Sequence, residues 1–221
     1  MVDILDEVAE DLRHERAMRL AKRYGVLLIL AAVLVLVGVA GQEYWQAHQK
    51  KLADKAATQY LAITQPVDEP SGQLTPDEAK DAAKQLVGFA ANAPETYKTM
   101  ARMRAAALYA NTGDTAQAAE LWTRVGADEA ASPLMRDVAN LLFAQHELGT
   151  AKDSDILARL QPMLQAKNPY HGLAREMQAM VYLNEGNKAM AKSLFTQVQD
   201  DPTVPQGTRS RARAMLAKLN G

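Results

Sequence analysis

Residues 108–122 read LYANTGDTAQAAELW, and this stretch decides the fold. Apolar residues recur at helical spacing on both sides of Gly113, which predicts two helices joined by a tight turn. Glycine suits that turn because it adopts the left-handed conformation that ends a helix without strain. Two further stretches repeat the arrangement, residues 142–160 (LFAQHELGTAKDSDILARL) and residues 181–195 (VYLNEGNKAMAKSLF). The chain is therefore predicted to be all-α and to contain repeated helical hairpins.

The turn glycines of these hairpins are Gly113, Gly149 and Gly186, which lie 36 and 37 residues apart. Helix–turn–helix units with a period in the middle thirties are typical of tetratricopeptide arrays. Around the first and third glycines the pattern also resembles the consensus of that family, in which small residues let paired helices approach and aromatic residues fill the adjoining layer. The residues that we expect to pack the repeats are Ala106, Tyr109, Gly113, Ala118, Trp122, Gly149, Ala179, Tyr182, Gly186, Ala191 and Phe195.

Two further units of the array are less regular. Around Gly149, Leu142 occupies the small position, and residues 152–155 (KDSD) are expected to lengthen the turn. A unit nearer the N-terminus would pair a helix over residues 43–64 with a second helix ending near residue 91. The array is thus predicted to be a short, degenerate α-solenoid of roughly four units.

Local signals set the ends of several of these helices. Thr75-Pro76-Asp77-Glu78 reads as a capping box with proline at the first helical position. The turn formers from Gln65 to Gly72 predict a break before it. A last helix over residues 208–219 is expected to cap the open end of the stack, as repeat arrays require.

Upstream of the repeats, residues 25–41 read GVLLILAAVLVLVGVAG, without a charged or polar side chain. A helix needs about 17–25 apolar residues to cross the hydrocarbon core of a bilayer. Tyr24, Tyr44 and Trp45 flank the run, where aromatic rings settle at the level of the headgroups. We therefore predict one transmembrane helix over residues 24–42. A cleaved signal peptide is the alternative, but its leading segment would be shorter and less acidic than residues 1–23.

Basic residues near this span indicate its orientation. Five of them precede it closely, whereas the nearest on the other side is Lys50. Because flanking Lys and Arg residues stay in the cytoplasm, residues 1–23 are predicted to be a cytoplasmic amphipathic tail and residues 43–221 to lie outside. One interpretation is that the tail binds a cytoplasmic partner or the membrane surface. The alternative is that it is only a helix leading into the span, whose basic residues set the topology.

A candidate protein-binding groove follows from the consensus geometry, in which the first helix of each unit lines the concave side of the array. Methionine is flexible and polarizable, so a groove lined by it suits varied apolar peptides. The alternative is that these methionines pack between repeats or under the helix that follows the span. The residues expected in the groove are Met100, Met103, Ala107, Asn111, Arg136, Phe143, His146, Glu176, Met180, Leu183 and Asn184.

Composition and motifs argue against catalysis. The chain has no cysteine and a formal net charge of −1, so thiol chemistry and cysteine-ligated metals are excluded and nucleic acid is not favoured as a partner. His146 and the DSD run at residues 153–155 lack the flanking ligands of zinc and calcium motifs. The arginines at 209, 211 and 213 could attract an anion or simply form a solvated helix face. We expect no enzyme activity, no cofactor, no metal and no small-molecule substrate.

The order of charged tail, single span, YWxxHQ segment and degenerate repeats resembles the YfgM-type family of bacterial inner-membrane proteins. The local match is Tyr44, Trp45, His48 and Gln49, directly after the span. This resemblance implies an ancillary subunit of the SecYEG translocon, anchored in the inner membrane, whose periplasmic tetratricopeptide-like domain engages chaperones or emerging chains. The alternative is a structural scaffold or assembly factor for an envelope or cell-division complex.

Overall fold

The computed structural model describes residues 4–68 and 74–220; among them, the side chains before Lys22 other than Met18, and those at positions 26, 28 and 32, are not described. The described residues form nine α-helices and one short 3₁₀ helix, with no strand among them, which confirms the all-α prediction. The elements are α1 (Ile4–Asp68), α2 (Pro76–Ala90), α3 (Glu95–Asn111), α4 (Thr115–Ala127), α5 (Pro133–His146), α6 (Asp153–Leu160), the 3₁₀ helix (Gln161–Leu164), α7 (His171–Asn184), α8 (Lys188–Asp200) and α9 (Gln206–Asn220).

The first of two compact units, Met1–Asp54, contains the N-terminal part of α1. Its large apolar side chains described between Leu27 and Val39 are 49–70% exposed. The most apolar stretch of α1 has a mean hydropathy of 2.6 and none of it is buried. Such a surface is unfavourable in water and favourable in hydrocarbon. This helix is therefore long and apolar enough to cross a membrane.

The end of α1 differs from the sequence prediction. The break was expected to begin at Gln65, but the helix continues to Asp68 and contains Pro66. Proline lacks a backbone N–H, so within the last turn it removes one helical hydrogen bond without stopping the helix. The rest of the predicted break, residues 69–73, lies outside the described residues. Helix α1 continues without a break through residues 24 and 42, which are the predicted boundaries of the span.

In the second unit, Lys55–Gly221, each helix from α2 onward packs mainly against its neighbours in sequence. Alternate helices also touch, in the pairs α3–α5, α5–α7 and α7–α9. Contacts restricted to near neighbours are the signature of a repeat stack. The end of α1 contributes to the same unit, since the Tyr60 ring lies 6.2 Å from Phe89 and 6.1 Å from Tyr97.

The turns of the hairpins adopt the expected geometry. Gly113, Gly149 and Gly186 have φ values of 81°, 83° and 80°. In the first and third hairpins the residue after the glycine donates its N–H to a carbonyl five residues earlier, 2.8 Å from Asp114 to Tyr109 and 2.8 Å from Asn187 to Tyr182. This is the Schellman arrangement that closes a helix end.

The middle hairpin has a longer connection than the other two, for a different reason than predicted. Residues 147–152 separate α5 from α6, whereas residues 112–114 and 185–187 form the other two connections. Lys152 is the N-cap of α6 and residues 153–155 form its first turn, so most of the KDSD run is helix rather than loop. Acidic residues are stabilising there because the N-terminus of a helix carries partial positive charge.

The capping box predicted at α2 is present. The Thr75 N–H donates to Glu78 Oε2 at 2.8 Å, and the Glu78 N–H donates to Thr75 Oγ1 at 3.3 Å. Pro76 begins the helix, as expected. Two reciprocal bonds at one terminus satisfy backbone donors that the helix itself leaves free.

The non-glycine residues assigned to repeat packing lie inside the stack. Trp122 and Phe195 are among the largest fully buried side chains of the described residues. Ala106, Ala118, Ala179 and Ala191 are completely buried, which places the paired helices in close contact. Tyr109 is also buried, and Tyr182 packs half-buried against the core that α7, α8 and α9 form.

Candidate protein-binding groove

A trough of about 630 Å³ runs between α5, α7 and α9. These are alternate helices of the stack, and the central one, α7, contacts both α5 and α9. A volume of this size is within the range of sites that hold ligands. The side chains that line the trough are Leu141, Gln145, Leu173, Glu176, Met177, Met180, Arg211, Ala214 and Met215.

The floor of the trough is apolar and flexible. Leu141 comes from α5, Met177 and Met180 come from α7, and Met215 comes from α9. All four are partly exposed, so they are free to contact an incoming chain. Unbranched methionine side chains adapt to different apolar shapes. The trough can therefore accept apolar side chains without a fixed sequence.

One ion pair joins the two helices on one side of the trough. Arg211 of α9 donates from Nε to Glu176 Oε1 at 2.7 Å and from Nη2 to Glu176 Oε2 at 2.6 Å. Arg211 Nη2 also donates to Thr208 Oγ1 at 3.2 Å. This bidentate geometry fixes the plane of the guanidinium. The Glu176 side chain that accepts its hydrogen bonds also raises the pKa of Arg211.

A second polar cluster holds the loop before α9 against the start of α7. His171 is buried, with Nδ1 2.7 Å from the Asn168 carbonyl oxygen and Nε2 3.2 Å from Asp201 Oδ2. Thr203 donates to Asp201 Oδ1 from its hydroxyl at 2.5 Å and from its backbone N–H at 2.9 Å. These bonds, with the contact from His171, lower the pKa of Asp201.

This cluster is structural rather than a catalytic triad. In a triad the nucleophile and the carboxylate lie on opposite nitrogens of the imidazole. Here the Thr203 hydroxyl and the Asp201 carboxylate both approach Nε2 of His171, and a backbone carbonyl occupies Nδ1. Among the described residues, no group of three or more His, Asp or Glu side chains is placed to hold a metal ion.

Two of the residues predicted for the groove, Glu176 and Met180, line the trough. The four predicted residues of α3 lie outside it. Of these, Met100 is 38% exposed, Asn111 is exposed, Ala107 is half-buried, and Met103 packs partly against the core. Met103 is thus half-buried against the core in the same way as Met177 and Met180, which line the trough.

The other predicted groove residues contact neighbouring helices instead. Phe143 is 8% exposed and lies under the Arg159 guanidinium, 4.0 Å from its ring centroid. The His146 ring lies 4.7 Å from the Trp122 ring of α4. Asn184 donates to Asp153 of α6 at 3.2 Å. Leu183 packs against the core that α7, α8 and α9 form, and Arg136 is half-buried on α5 outside the trough.

The sequence prediction missed seven residues of the trough, namely Leu141, Gln145, Leu173, Met177, Arg211, Ala214 and Met215. Three of them belong to α9, which was interpreted as a capping helix. The signal was present, because α9 carries small and apolar residues at helical spacing next to Arg211. A capping helix covers the last unit and can form a wall of the binding side at the same time.

Comparison with known families agrees with this arrangement of helices. Residues 20–220 match the family described as tetratricopeptide repeat-like domain. No curated protein and no solved structure gives a significant match to the chain. Domains of this kind are typically non-catalytic modules that bind other proteins.

Proposed function

Since the chain belongs to the tetratricopeptide repeat-like domain family, we propose that it is a membrane-anchored adaptor that binds proteins in the trough between α5, α7 and α9. The observation that carries this proposal is the trough itself, which exposes Leu141, Met177, Met180 and Met215 on the side of the stack formed by alternate helices. Exposed apolar surface of this kind marks sites of protein interaction.

The anchor is the apolar part of α1, which we propose to be a single span of the bacterial inner membrane. The cluster of basic residues that ends at Lys22 and Arg23 supports a cytoplasmic N-terminus. The repeats would then lie in the periplasm, where a chain without cysteine forms no disulfide bonds.

We further propose that the partners are the Sec translocon, periplasmic chaperones and chains that emerge from the channel. The resemblance of the tail, span and Tyr44-Trp45 segment to the YfgM-type family supports this assignment. An adaptable trough also suits it, because emerging chains differ in sequence and share mainly exposed apolar segments.

Photocrosslinking in intact membranes tests the proposal. A photoreactive amino acid is placed at Met180 in the trough, at Trp45 in α1, and at the exposed Ser193 of α8 as a control. Translocon subunits, chaperones or nascent chains captured from Met180 or Trp45 and not from Ser193 are the expected result. Capture of division or outer-membrane assembly proteins would support the scaffold alternative, and adducts no different from the control would contradict an adaptor.

A further inference from the structure

The short helix α6 separates two parts of the array. It has eight residues, whereas α4 and α8, the second helices of the hairpins on either side of it, have 13 residues each. It passes directly into the 3₁₀ helix Gln161–Leu164, which contains Pro162. Proline cannot donate the backbone hydrogen bond that would continue α6. Because the hydrogen bonds of a 3₁₀ helix have poorer geometry than those of an α-helix, this segment resists bending less than a continuous helix would.

On the N-terminal side of this segment, Arg159 fixes α4, α5 and α6 to one another. Its Nη1 donates to Asn140 Oδ1 of α5 at 3.2 Å, and its Nη2 donates to Thr123 Oγ1 of α4 at 3.1 Å. The same guanidinium lies 4.0 Å from the centroid of the Phe143 ring. Helices α2 to α6 also share one core. Residues 76–160, the N-terminal block, are therefore expected to move as one body.

On the C-terminal side, α7, α8 and α9 form a second body, residues 171–220, which we call the C-terminal block. These helices have a core of their own. Gly172 packs so closely on Val204 that an added Cβ would lie 2.6 Å from its Cγ2. The bidentate ion pair between Glu176 and Arg211 ties α7 to α9. Close packing and directed bonds thus hold this block together.

The boundary between the two blocks is held by fewer directed bonds. Among the described residues, no ion pair crosses it. Asn168, just before α7, donates to Asp137 Oδ2 of α5 at 2.7 Å. Asn184, the last residue of α7, donates to Asp153 Oδ1 of α6 at 3.2 Å. These two bonds lie at opposite ends of α7, so they permit a turn about the axis of that helix.

The contact between these two bonds is apolar. Its side chains are fully buried in one core, and they are Ile156, Leu160 and Met163 before α7 and Ala174 and Val181 within it. Apolar attraction has no preferred direction. A small turn of α7 against this core therefore breaks no polar bond there.

We propose that residues 161–170 form a hinge about which the C-terminal block turns against the N-terminal block, and that this turn changes the width of the trough. The trough lies across the boundary, because Leu141 and Gln145 belong to the N-terminal block and its other lining residues belong to the C-terminal block. Helix α7 contacts both α5 and α9, so a turn about its axis moves α9 relative to α5. The inference concerns motion and does not depend on which ligand the trough binds.

Distances between pairs of nitroxide labels test this proposal, measured by double electron–electron resonance on the full-length protein in phospholipid nanodiscs. The chain contains no cysteine, so two introduced cysteines carry the only labels. Gln117→Cys in α4 with Ser193→Cys in α8 is the pair across the hinge. Gln85→Cys in α2 with Ala158→Cys in α6 is the control pair, which also skips one hairpin but lies inside the N-terminal block. All four positions are exposed.

The distance distribution of the pair across the hinge should be at least about twofold wider than that of the control pair. Asn184→Ala removes the bond at one end of α7 and should widen the first distribution further without changing the second. Asn111→Ala is the matched control, because Asn111 is likewise the last residue of its helix, is exposed, and forms no side-chain hydrogen bond within the described residues. This variant should change neither distribution.

Two results would overturn the hinge. One is an equal width for the two pairs, and the other is a width across the hinge that Asn184→Ala leaves unchanged. Circular dichroism checks that each variant remains helical. Asp153→Ser removes the same bond from the side of α6 and replaces Asn184→Ala if that variant loses helicity. Photocrosslinking from Met180 and Trp45 decides the proposed function separately, whichever result the labels give.

Discussion

Substitution of Gly172 by alanine should destabilise the protein through one close contact. Gly172 is buried near the start of α7. An added Cβ there would lie 2.6 Å from Cγ2, 2.7 Å from Cγ1 and 3.1 Å from Cβ of Val204. Carbon atoms in contact are normally separated by about 3.5–4.0 Å. Val204 is 2% exposed, so it has little room to move away.

The expected magnitude follows from two opposing effects. Overpacking of a filled core costs about 1–3 kcal/mol. Alanine regains at most about 1 kcal/mol over glycine inside a helix, and less in the first turn, where Gly172 lies. The free energy of unfolding should therefore fall by about 1–2 kcal/mol. The double variant Gly172→Ala, Val204→Ala should cost little more than Val204→Ala alone, because the second change removes the two clashing methyl groups.

Urea unfolding of the full-length protein in detergent measures these free energies. Far-UV circular dichroism reports on the helices, and a Trp45→Phe background leaves the buried Trp122 as the one tryptophan signal. Gly88→Ala is the control, because Gly88 lies in α2 and an added Cβ there has no atom within 4 Å. Gly88→Ala should stabilise by up to about 1 kcal/mol. If Gly172→Ala were as stable as Gly88→Ala, the close contact described between Gly172 and Val204 would be wrong.

Three further substitutions have defined outcomes. Thr75→Ala removes the cap of α2 and should cost about 1 kcal/mol, measured as a lower urea midpoint. Gly186→Ala introduces a side chain at φ 80° and should cost about 1–2 kcal/mol, with a stability unchanged from wild type arguing against the left-handed turn. Hydrogen bonds from Thr203 and His171 hold the pKa of Asp201 below its usual value in the folded state, so this stabilisation is complete above about pH 4 and is lost as the pH falls further. The urea midpoint of the wild-type protein should fall between neutral pH and pH 3, and it should fall less in Asp201→Asn, because asparagine does not titrate. An identical fall in both proteins would contradict the role of Asp201.

The sequence predicted the helical hairpins well because local chemistry determines them. A helix can reverse sharply at Gly113 and Gly186 only where the backbone tolerates positive φ, and glycine reveals that requirement in the sequence. The capping box at Thr75 is equally local, since its partner is three residues away. The end of α1 was predicted less accurately, because Pro66 lies in the last turn, where its missing N–H costs one bond rather than the helix.

Only two of the predicted groove residues line the trough, and their assignment depended on helical register as well as on period. Counting back from the turn glycine assigns the faces of a helix correctly only if each helix ends at the same distance from that glycine. The helices α3 and α7 end two residues before Gly113 and Gly186, but α5 ends three residues before Gly149. One residue rotates the assigned face by about 100°. Moving back by one residue replaces His146 with Gln145, which lines the trough, but replaces Phe143 with Leu142, which does not, so register accounts for only one of the two residues.

The packing of α5 against its neighbours determines which of its side chains line the trough. Phe143 and His146 pack against Arg159 and Trp122, and these contacts join α5 to α6 of the same hairpin and to α4 of the hairpin before it. Because these two large side chains pack against neighbouring helices, α5 contributes Leu141 and Gln145 to the lining of the trough. Helix α9 contributes Arg211 and Met215. The irregular middle unit and the terminal helix therefore both contribute side chains to the trough that we propose as the binding site. A regular repeat in place of residues 133–160 should preserve the stack and remove the trough, which would separate folding from binding within the same protein.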